Sequence, residues 1–215
     1  MSEREIGPQL RAEREAQGVS LRKLSKAVGI SPSALSQIET GRSKPSVTTL
    51  YALVTELGLS LDELFAGERR RAPGGKPVRR SSSPPVSREA RGPGVQLADD
   101  RKVLTLESGV VWERLTPTSE PDVDFLYVTY EVGGASSPGG KFVRHEGREY
   151  GLVLEGKLRV TVGFDVHELG PGDSIAFDSF VPHRLENIGK VPARAVWFAL
   201  GRSGSDPRTD RLNDN

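Results

Sequence analysis

The sequence contains no cysteine, and aromatic residues make up only 6% of its 215 residues. The absence of cysteine excludes disulfide-stapled scaffolds, thiolate zinc sites, iron–sulfur clusters and cysteine nucleophiles. No apolar run approaches the roughly 20 residues that a membrane-spanning helix needs, so we expect no membrane contact. The first residues are polar and charged with no apolar stretch behind them, which argues against a secretory signal and predicts a cytoplasmic protein.

Charge is spread unevenly along the chain. Residues 1–66 are neutral, residues 67–95 carry a net charge of +6, and residues 96–215 carry a net charge of −5. The basic middle segment is rich in Pro, Gly, Ser and Arg and has almost no large apolar side chain, so it cannot bury enough surface to offset its ordering entropy. We therefore expect a domain at 1–66, a disordered linker at 67–95, a second domain at 96–203 and a disordered tail at 204–215. The linker's charge suits either a polyanion or a solvated tether without contacts.

The first domain has the hydrophobic spacing of five short helices. Apolar residues at this spacing are Ile6, Leu10, Leu21, Leu24, Leu35, Ile38, Leu50, Leu53 and Leu57. Ser20 and Ser31 can cap the second and third helices, and Pro32 fits the first turn of the third helix, where its missing N–H costs no hydrogen bond. Gly18 and Gly41 are expected to end helices. The pattern predicts a compact helical bundle.

Residues 21–40, LRKLSKAVGISPSALSQIET, have the register of a helix-turn-helix. Gly29 permits a left-handed turn between the two helices, and Leu35 and Ile38 anchor the second helix. The next residues, ETGRSKPS, match an E-x-G-x-x-x-P connector. On these features the segment 6–65 resembles the Xre (phage-repressor) family of helix-turn-helix proteins. The resemblance implies an all-α, lambda-repressor-like bundle that binds double-stranded operator DNA.

In such a bundle a recognition helix lies in the major groove and offers its N-terminal side chains to base edges. Gln37 could pair with an adenine, while the N-terminus of the recognition helix and the loop that follows it would hold phosphates. The DNA-contacting residues that the resemblance implies are Arg11, Ser20, Arg22, Ser31, Pro32, Ser33, Ser36, Gln37, Arg42, Ser43 and Lys44. The alternative is a helical bundle used for protein contact, which the neutral charge of residues 1–66 favours.

The sequence of the second domain predicts short strands rich in β-branched and aromatic residues, separated by glycine-containing turns. The predicted strands are residues 110–115, 125–131, 150–154, 158–162, 174–177 and 195–200. Alternation of apolar and polar residues along 158–162 is typical of a half-buried strand. Many short strands without a helical pattern between them favour an all-β sandwich or small barrel.

Two blocks of this domain carry candidate chemistry: FVRHEGREYGLVLEG at 142–156, and GPGD at 170–173 leading to VPHRLEN at 181–187. They resemble the two motifs of the cupin family, and the resemblance extends over residues 103–202. It implies an all-β cupin barrel, which is a double-stranded β-helix or jelly roll. The matched positions are His145, Glu149, Gly156, Gly172, His183 and Asn187.

Three positions depart from the cupin pattern. Val143 replaces the first histidine, and Asp178 and Phe180 replace the proline and the second glycine of the second motif. The ligand set that remains, here called the His–Glu–His cluster, consists of His145, Glu149 and His183. Two imidazoles and one carboxylate can form a facial metal site with open positions that suits Fe, and Zn, Mn or Ni could also bind. Alternatively, the same side chains line a metal-free pocket and hydrogen-bond an organic ligand or one another.

A barrel of this size can hold one small ligand. Strand position adds four residues to the cluster as candidates for the pocket: Arg114, Tyr130, Val143 and Phe177. We expect Trp112 and Trp197 in the core or a dimer contact, and His167 in an exposed polar turn.

A helix-turn-helix joined to a cupin resembles a group of bacterial one-component transcription regulators. That group implies a homodimer whose cupin binds a small-molecule effector and whose paired heads read half-sites about 34 Å apart. An alternative is an iron-dependent cupin epoxidase family that also carries a helix-turn-helix head, which would imply oxidative chemistry at the cluster. A third possibility is a metal-free cupin whose only role is to dimerise the helix-turn-helix domains, the heads of the protein.

Overall fold

A computed structural model describes residues 2–3, 6–59, 61–66, 94–118, 120 and 123–201 of the chain. The expected linker at 67–95 lies outside the described residues up to residue 93, and the expected tail at 204–215 lies wholly outside them. No helix within the described ranges is long and apolar enough to cross a membrane.

Five helices form the first domain, as the sequence predicts. They are α1 (Gly7–Ala16), α2 (Leu21–Val28), α3 (Pro32–Glu39), α4 (Val47–Leu57) and α5 (Leu61–Ala66). The hydroxyls of Ser20, Ser31 and Ser46 each accept a hydrogen bond from the backbone N–H of the third residue of the helix that they cap. Gly29 adopts φ +74° at the end of α2, a left-handed conformation that reverses the chain into α3.

The core of this domain is mostly aliphatic. Leu10 of α1, Leu24 of α2 and Leu35 of α3 are fully buried, and they pack with Leu50 and Leu53 of α4. Because every helix contributes at least one buried apolar side chain, the bundle holds α3 in a fixed orientation and leaves its opposite face to solvent.

Ten strands account for the remaining regular structure of the described residues, apart from short 3₁₀ turns. They are β1 (Ser2–Glu3), β2 (Lys102–Leu106), β3 (Val110–Arg114), β4 (Val123–Tyr130), β5 (Arg148–Glu155), β6 (Leu158–Val162), β7 (Asp165–Leu169), β8 (Ser174–Asp178), β9 (His183–Asn187) and β10 (Ala193–Leu200). One sheet has the order β1-β2-β3-β4-β10-β5-β8, and the second has the order β7-β6-β9. Alternate residues of β3, β4, β9 and β10 are buried, so the apolar faces of the sheets enclose a barrel interior.

The structure confirms the two-part fold class and adds strands that the sequence pattern did not reveal. Strands β1, β2, β7 and β9 were absent from the predicted set. In β7 every residue is exposed or half-buried, so the strand lacks the apolar alternation that a prediction needs. His167 is exposed as expected, but it lies within β7 and not in a turn.

The helical domain packs directly on the barrel. The N–H of Thr48 donates to the carbonyl of Ser136 at 3.3 Å, and the N–H of Glu107 donates to the carbonyl of Pro45 at 2.9 Å. Strand β1 pairs in parallel with β2, so residues 2–3 join the barrel sheet although they precede the helical bundle in sequence. These contacts place the N-terminal half of α4 against one end of the barrel.

Candidate functional site

Helix α3 presents a polar face to solvent. Pro32, Ser33, Ser36 and Gln37 are all exposed on this face, while Leu35 on the other side is fully buried. An exposed polar face on the second helix of a helix-turn-helix is the arrangement that allows side chains to reach base edges in a major groove.

The surroundings of α3 carry the other predicted DNA-contacting residues. Arg22, Arg42 and Lys44 are exposed, and Ser43 is half-buried. The carbonyl of Gln37 accepts hydrogen bonds from the N–H groups of Arg42 at 2.9 Å and Ser43 at 3.2 Å, which fixes the loop after α3.

Several of the predicted DNA-contacting residues already have a partner within the helical domain, among them Ser20, Ser31 and Arg11. The hydroxyls of Ser20 and Ser31 cap α2 and α3, so their roles at a DNA surface would be shared with capping. Arg11 is exposed but forms an ion pair with Glu15 at 2.9 Å.

A buried ion pair, which the sequence pattern did not indicate, ties α1 to the end of α3. Arg14 donates two hydrogen bonds to the carboxylate of Glu39, at 2.6 and 2.8 Å, and a third to the carbonyl of Val19 at 2.9 Å. The hydrogen bond to Glu39 raises the pKa of Arg14 above its ordinary value. The signal in the sequence was a charged residue, Arg14, four positions after Leu10 on the buried side of the first helix. This pair positions the recognition helix.

The barrel brings the three residues of the His–Glu–His cluster together. Glu149 lies on β5 and His183 begins β9, while His145 lies in the loop before β5. Nε2 of His145 is 2.8 Å from Oε1 of Glu149, and Nε2 of His183 is 3.2 Å from the same oxygen. Candidate ligand atoms of all three side chains lie within 4.8 Å of one another.

The outer nitrogens of both imidazoles face backbone carbonyls. Nδ1 of His145 is 2.9 Å from the carbonyl of Glu146, and Nδ1 of His183 is 3.0 Å from the carbonyl of Val181. A proton assigned to each Nδ1 on this basis leaves each Nε2 with a lone pair directed toward the carboxylate. Neither Nε2 of His145 nor Oε1 of Glu149 has a well-aligned hydrogen bond among the described residues.

This arrangement needs a positive charge at its centre. Lone pairs that converge at these distances repel one another unless an imidazole is protonated or a cation lies among them. Burial by itself raises the pKa of Glu149, but the adjacent imidazoles of His145 and His183, in their protonated form, outweigh burial and hold that pKa below its ordinary value. The donor set of two imidazoles and one carboxylate therefore fits a divalent metal ion.

Trp197 of β10 supports the cluster from the side. Its indole Nε1 donates to Oε2 of Glu149 at 2.6 Å, and the bond is buried. The indole lies over Gly151, where a Cβ would come within 2.0 Å of the ring, so the site requires glycine at this position. Trp197 is buried, as expected, and it also orients the carboxylate, which was not predicted.

A small cavity of about 20 Å³ lies beside the cluster, between the barrel and α4. It is lined by Val47, Tyr51, Trp112, Leu126, Val128, Tyr130, Ser136, Val143, Glu149, His183, Leu185 and Trp197. The predicted pocket residues Tyr130, Val143, Glu149 and His183 thus line the cavity, and His145 adjoins them through the cluster. Burial raises the pKa of Tyr130, and the charge of Glu149 raises it further, which keeps the phenol protonated.

Two predicted pocket residues lie elsewhere. Arg114 is buried between the domains, donates to the carbonyls of Thr116 and Pro117, and lies over the ring of Phe65 at 6.0 Å. Phe177 does not line the cavity, because its ring packs behind His183 at a centroid distance of 4.9 Å. Strand position alone could not tell which barrel residues face the cavity and which face the other domain.

The sequence pattern also missed cavity residues that come from the other domain. Val47 and Tyr51 of α4 line the cavity although they belong to the helical bundle. Trp112 lines it as well, which is compatible with its expected place in the core. An aromatic residue one helical turn after a buried Val47 was the only signal for Tyr51.

Comparison with known proteins identifies both domains. Residues 10–64 match the family described as "Helix-turn-helix", and residues 126–199 match the family described as "Cupin domain". The HTH-type transcriptional regulator PuuR of Escherichia coli is 29% identical over 192 residues, which cover 88% of this chain and 91% of that protein. The HTH-type transcriptional regulator SutR of Escherichia coli is 24% identical over 179 residues, or 82% of this chain and 84% of that protein.

A solved structure supports the same architecture. The crystal structure of an HTH_3 family transcriptional regulator from Vibrio cholerae superposes with a TM-score of 0.61 at 22% identity, covering 91% of this chain and 94% of that chain. At this identity the likeness concerns the fold. Both domains and their order along the chain are therefore shared with proteins of this kind.

Proposed function

We propose that this chain, a member of the helix-turn-helix transcriptional regulators with a C-terminal cupin domain, binds operator DNA through α3 and a small-molecule effector in its barrel. The observation that carries the proposal is the exposed polar face of α3 on an intact helix-turn-helix, joined to a barrel with a lined cavity. Homology to HTH-type transcriptional regulators along most of the chain supports it. A cytoplasmic location fits this function.

To test this function, DNA duplexes that bind the full-length protein are selected from a random pool. The affinity of the protein for the selected duplex is then measured over a range of salt concentrations. We expect a specific duplex to bind at least about 10³-fold more tightly than an unrelated duplex at physiological salt. A protein that shows only salt-dependent, sequence-independent binding would contradict the proposal.

Substituting Gln37→Ala should weaken binding to the selected duplex by about 1–3 kcal/mol, because an exposed amide on the recognition helix can pair with a base edge. Fluorescence anisotropy with matched and single-base-changed duplexes provides the measurement. Lys23→Ala is the matched control, because Lys23 is exposed on α2 and is not a predicted contact. Undiminished discrimination between the duplexes by Gln37→Ala would exclude this residue from base reading.

We further propose that the His–Glu–His cluster holds one divalent metal ion, with Fe, Zn, Mn and Ni as the candidates. Two neutral imidazole nitrogens and one carboxylate oxygen would face the ion, and the bound ion would supply a Lewis-acidic contact for an effector. If the cluster binds the effector or its metal, His145→Ala with His183→Ala abolishes the effector response and leaves operator binding by the head intact. An unchanged effector response would favour a cupin that only dimerises the heads.

The protein is proposed to act as a homodimer, and the outer face of the larger sheet supports this. Tyr150 and Leu152 of β5 are exposed there beside Val196 and Phe198 of β10, and together they border an open apolar groove. Apolar side chains clustered on a sheet face are typical of an interface.

Leu152→Asp should therefore convert the dimer to a monomer and lower operator affinity, since two linked heads bind more tightly than one. Sedimentation velocity gives the oligomeric state. Phe164→Asp, which changes a fully exposed residue at the β6–β7 turn, should leave the dimer intact. If Leu152→Asp also remains dimeric, this face is not the interface.

A second candidate function is an iron-dependent cupin oxidation, and the donor set of the cluster favours it. Iron content and oxygen uptake of protein purified under iron-replete conditions would test this alternative. Stoichiometric iron with substrate-dependent oxygen uptake would support the enzyme, whereas the absence of sequence-specific DNA binding in the same preparation would argue against regulation.

A further inference from the structure

Tyr51 of α4 lies inside the barrel's cavity. Its ring centroid is 4.6 Å from that of His145 and 5.4 Å from that of Trp112, and the residue is 8% exposed. An aromatic side chain of the DNA-binding domain is therefore in van der Waals contact with a member of the His–Glu–His cluster.

Backbone hydrogen bonds hold this end of α4 on the barrel. The Thr48–Ser136 bond lies next to Val47, which also lines the cavity, and the Glu107–Pro45 bond lies just before the helix. A second contact, between Phe65 of α5 and Arg114 of β3, lies outside the cavity lining. The two domains thus meet over a surface that includes both polar and aromatic contacts.

Helix α4 cannot move away from the barrel by itself. Its Leu50, Leu53 and Leu57 are buried in the core of the helical bundle, together with Leu24 of α2 and Leu35 of α3. Because cores are close-packed, a displacement of α4 carries α3 with it as one body.

We propose that the DNA-binding domain forms a wall of the effector pocket and that Tyr51 is a ligand-sensing residue. A ligand that approaches the His–Glu–His cluster from the α4 side meets the Tyr51 ring first, and the ring has to move before the ligand reaches His145. Ligand occupancy and docking of the DNA-binding domain on the barrel therefore compete within a single chain. The ligand would be a small molecule with two parts. A polar group would bind at the His–Glu–His cluster, and an apolar part would replace the Tyr51 ring against Trp112.

The histidines provide a direct test, because the chain has only three of them. Diethyl pyrocarbonate acylates accessible imidazoles, and peptide mass spectrometry measures the rate at each histidine in the metal-free, full-length protein. His167 is exposed on β7 and serves as the internal reference. In the unmodified chain, we expect His145 and His183 to react much more slowly than His167.

Tyr51→Ala should raise the labelling rates of His145 and His183 by about tenfold and leave the rate of His167 unchanged, because it removes the side chain that covers the cluster. Thr55→Ala is the matched control, because Thr55 is exposed on the same helix. The far-UV circular dichroism of both variants must match that of the parent, so that local opening is separated from unfolding. Unchanged protection of both histidines in a folded Tyr51→Ala protein would overturn the proposal.

A disulfide lock tests the same idea without removing Tyr51. The chain has no cysteine, so Thr48→Cys combined with Ser136→Cys introduces the only thiol pair at the hydrogen-bonded contact. Oxidation should slow labelling of His145 and His183 by about tenfold relative to the reduced form, because it prevents α4 from leaving. Ser136→Cys alone is the control for the loss of the Ser136 hydroxyl, which accepts a bond from the N–H of Leu185. Equal labelling in the oxidised and reduced forms would show that α4 does not gate the pocket.

The coupling to DNA rests on the proposed function and is measured separately. With a duplex selected by the unmodified protein, oxidised and reduced forms of the double-cysteine variant should differ in affinity by about fivefold or more. The absence of any selected duplex would contradict the proposed function, but the labelling result would still decide the role of Tyr51. Equal affinities in the two redox forms would overturn the coupling between docking and DNA binding.

Discussion

Replacing Glu39 by alanine should lower the free energy of unfolding of the helical domain by about 3–5 kcal/mol, because the guanidinium of Arg14 would remain buried without its carboxylate. Arg14 is 7% exposed and Glu39 is 3% exposed, so little water can replace the lost partner. Glu39 also ends α3, where a negative charge opposes the helix dipole, and the pair with Arg14 offsets that cost. Urea unfolding followed by circular dichroism at 222 nm measures the effect, because the α-helices of the described residues all lie between residues 7 and 66.

Two further variants separate the ion pair from general effects. Glu15→Ala removes an exposed carboxylate that is 3.4 Å from the same arginine, and we expect little change in stability. Arg14→Met combined with Glu39→Leu removes both charges together, and it should recover most of the stability that Glu39→Ala loses. A Glu39→Ala protein as stable as the parent would show that the pair does not hold α3 in place.

The second large effect is expected at Trp197, which packs in the barrel and also orients Glu149. Trp197→Ala should destabilise the barrel by about 3–5 kcal/mol, because it leaves a large cavity beside Gly151. Trp197→Phe keeps an aromatic ring there but removes the Nε1 donor, so Oε2 of Glu149 loses its hydrogen bond. We expect a smaller loss of stability for Trp197→Phe, together with a decrease of about 10–100-fold in affinity for Co²⁺ as a probe of the cluster.

Both effects at Trp197 can be measured on the same proteins. Substitution of Trp197 leaves Trp112 as the single tryptophan, so its fluorescence reports unfolding of the barrel, while calorimetric titration gives the affinity for Co²⁺. Trp112→Phe is the control, since Trp112 lines the same cavity and donates no hydrogen bond to Glu149. Equal Co²⁺ affinity in Trp197→Phe and Trp112→Phe would show that the indole N–H does not position the carboxylate.

Local chemistry made the helix-turn-helix predictable. The caps at Ser20 and Ser31, the left-handed turn at Gly29 and the buried positions Leu35 and Ile38 all act within a few residues of the chain, and the structure shows each of them where the sequence placed it. The same reasoning could not find the Arg14–Glu39 pair. These residues are 25 positions apart, and only the packing of α1 on α3 brings them together.

In the barrel, too, part of the site was predictable from the sequence and part depended on tertiary packing. The motif resemblance identified the cluster: His145 and Glu149 lie four residues apart in the first motif, and His183 matches the second. A family motif indicates which residues come together in the fold, although the sequence does not show the strand packing that brings them together. Strand position alone misplaced Arg114 and Phe177, since the face of a strand that borders the cavity depends on sheet curvature and on the neighbouring domain.

The amino-acid sequence by itself therefore determined two domains, a capped recognition helix with its exposed polar face, and the residue types of a candidate metal site. Local hydrogen bonds and hydrophobic periodicity act over a few residues and are readable directly from their order. Only the tertiary structure decided that Tyr51 of the helical domain enters the cavity of the barrel and that Trp197 supports Glu149. Such contacts join residues that are distant in sequence, and they arise because close packing selects one arrangement of the assembled elements.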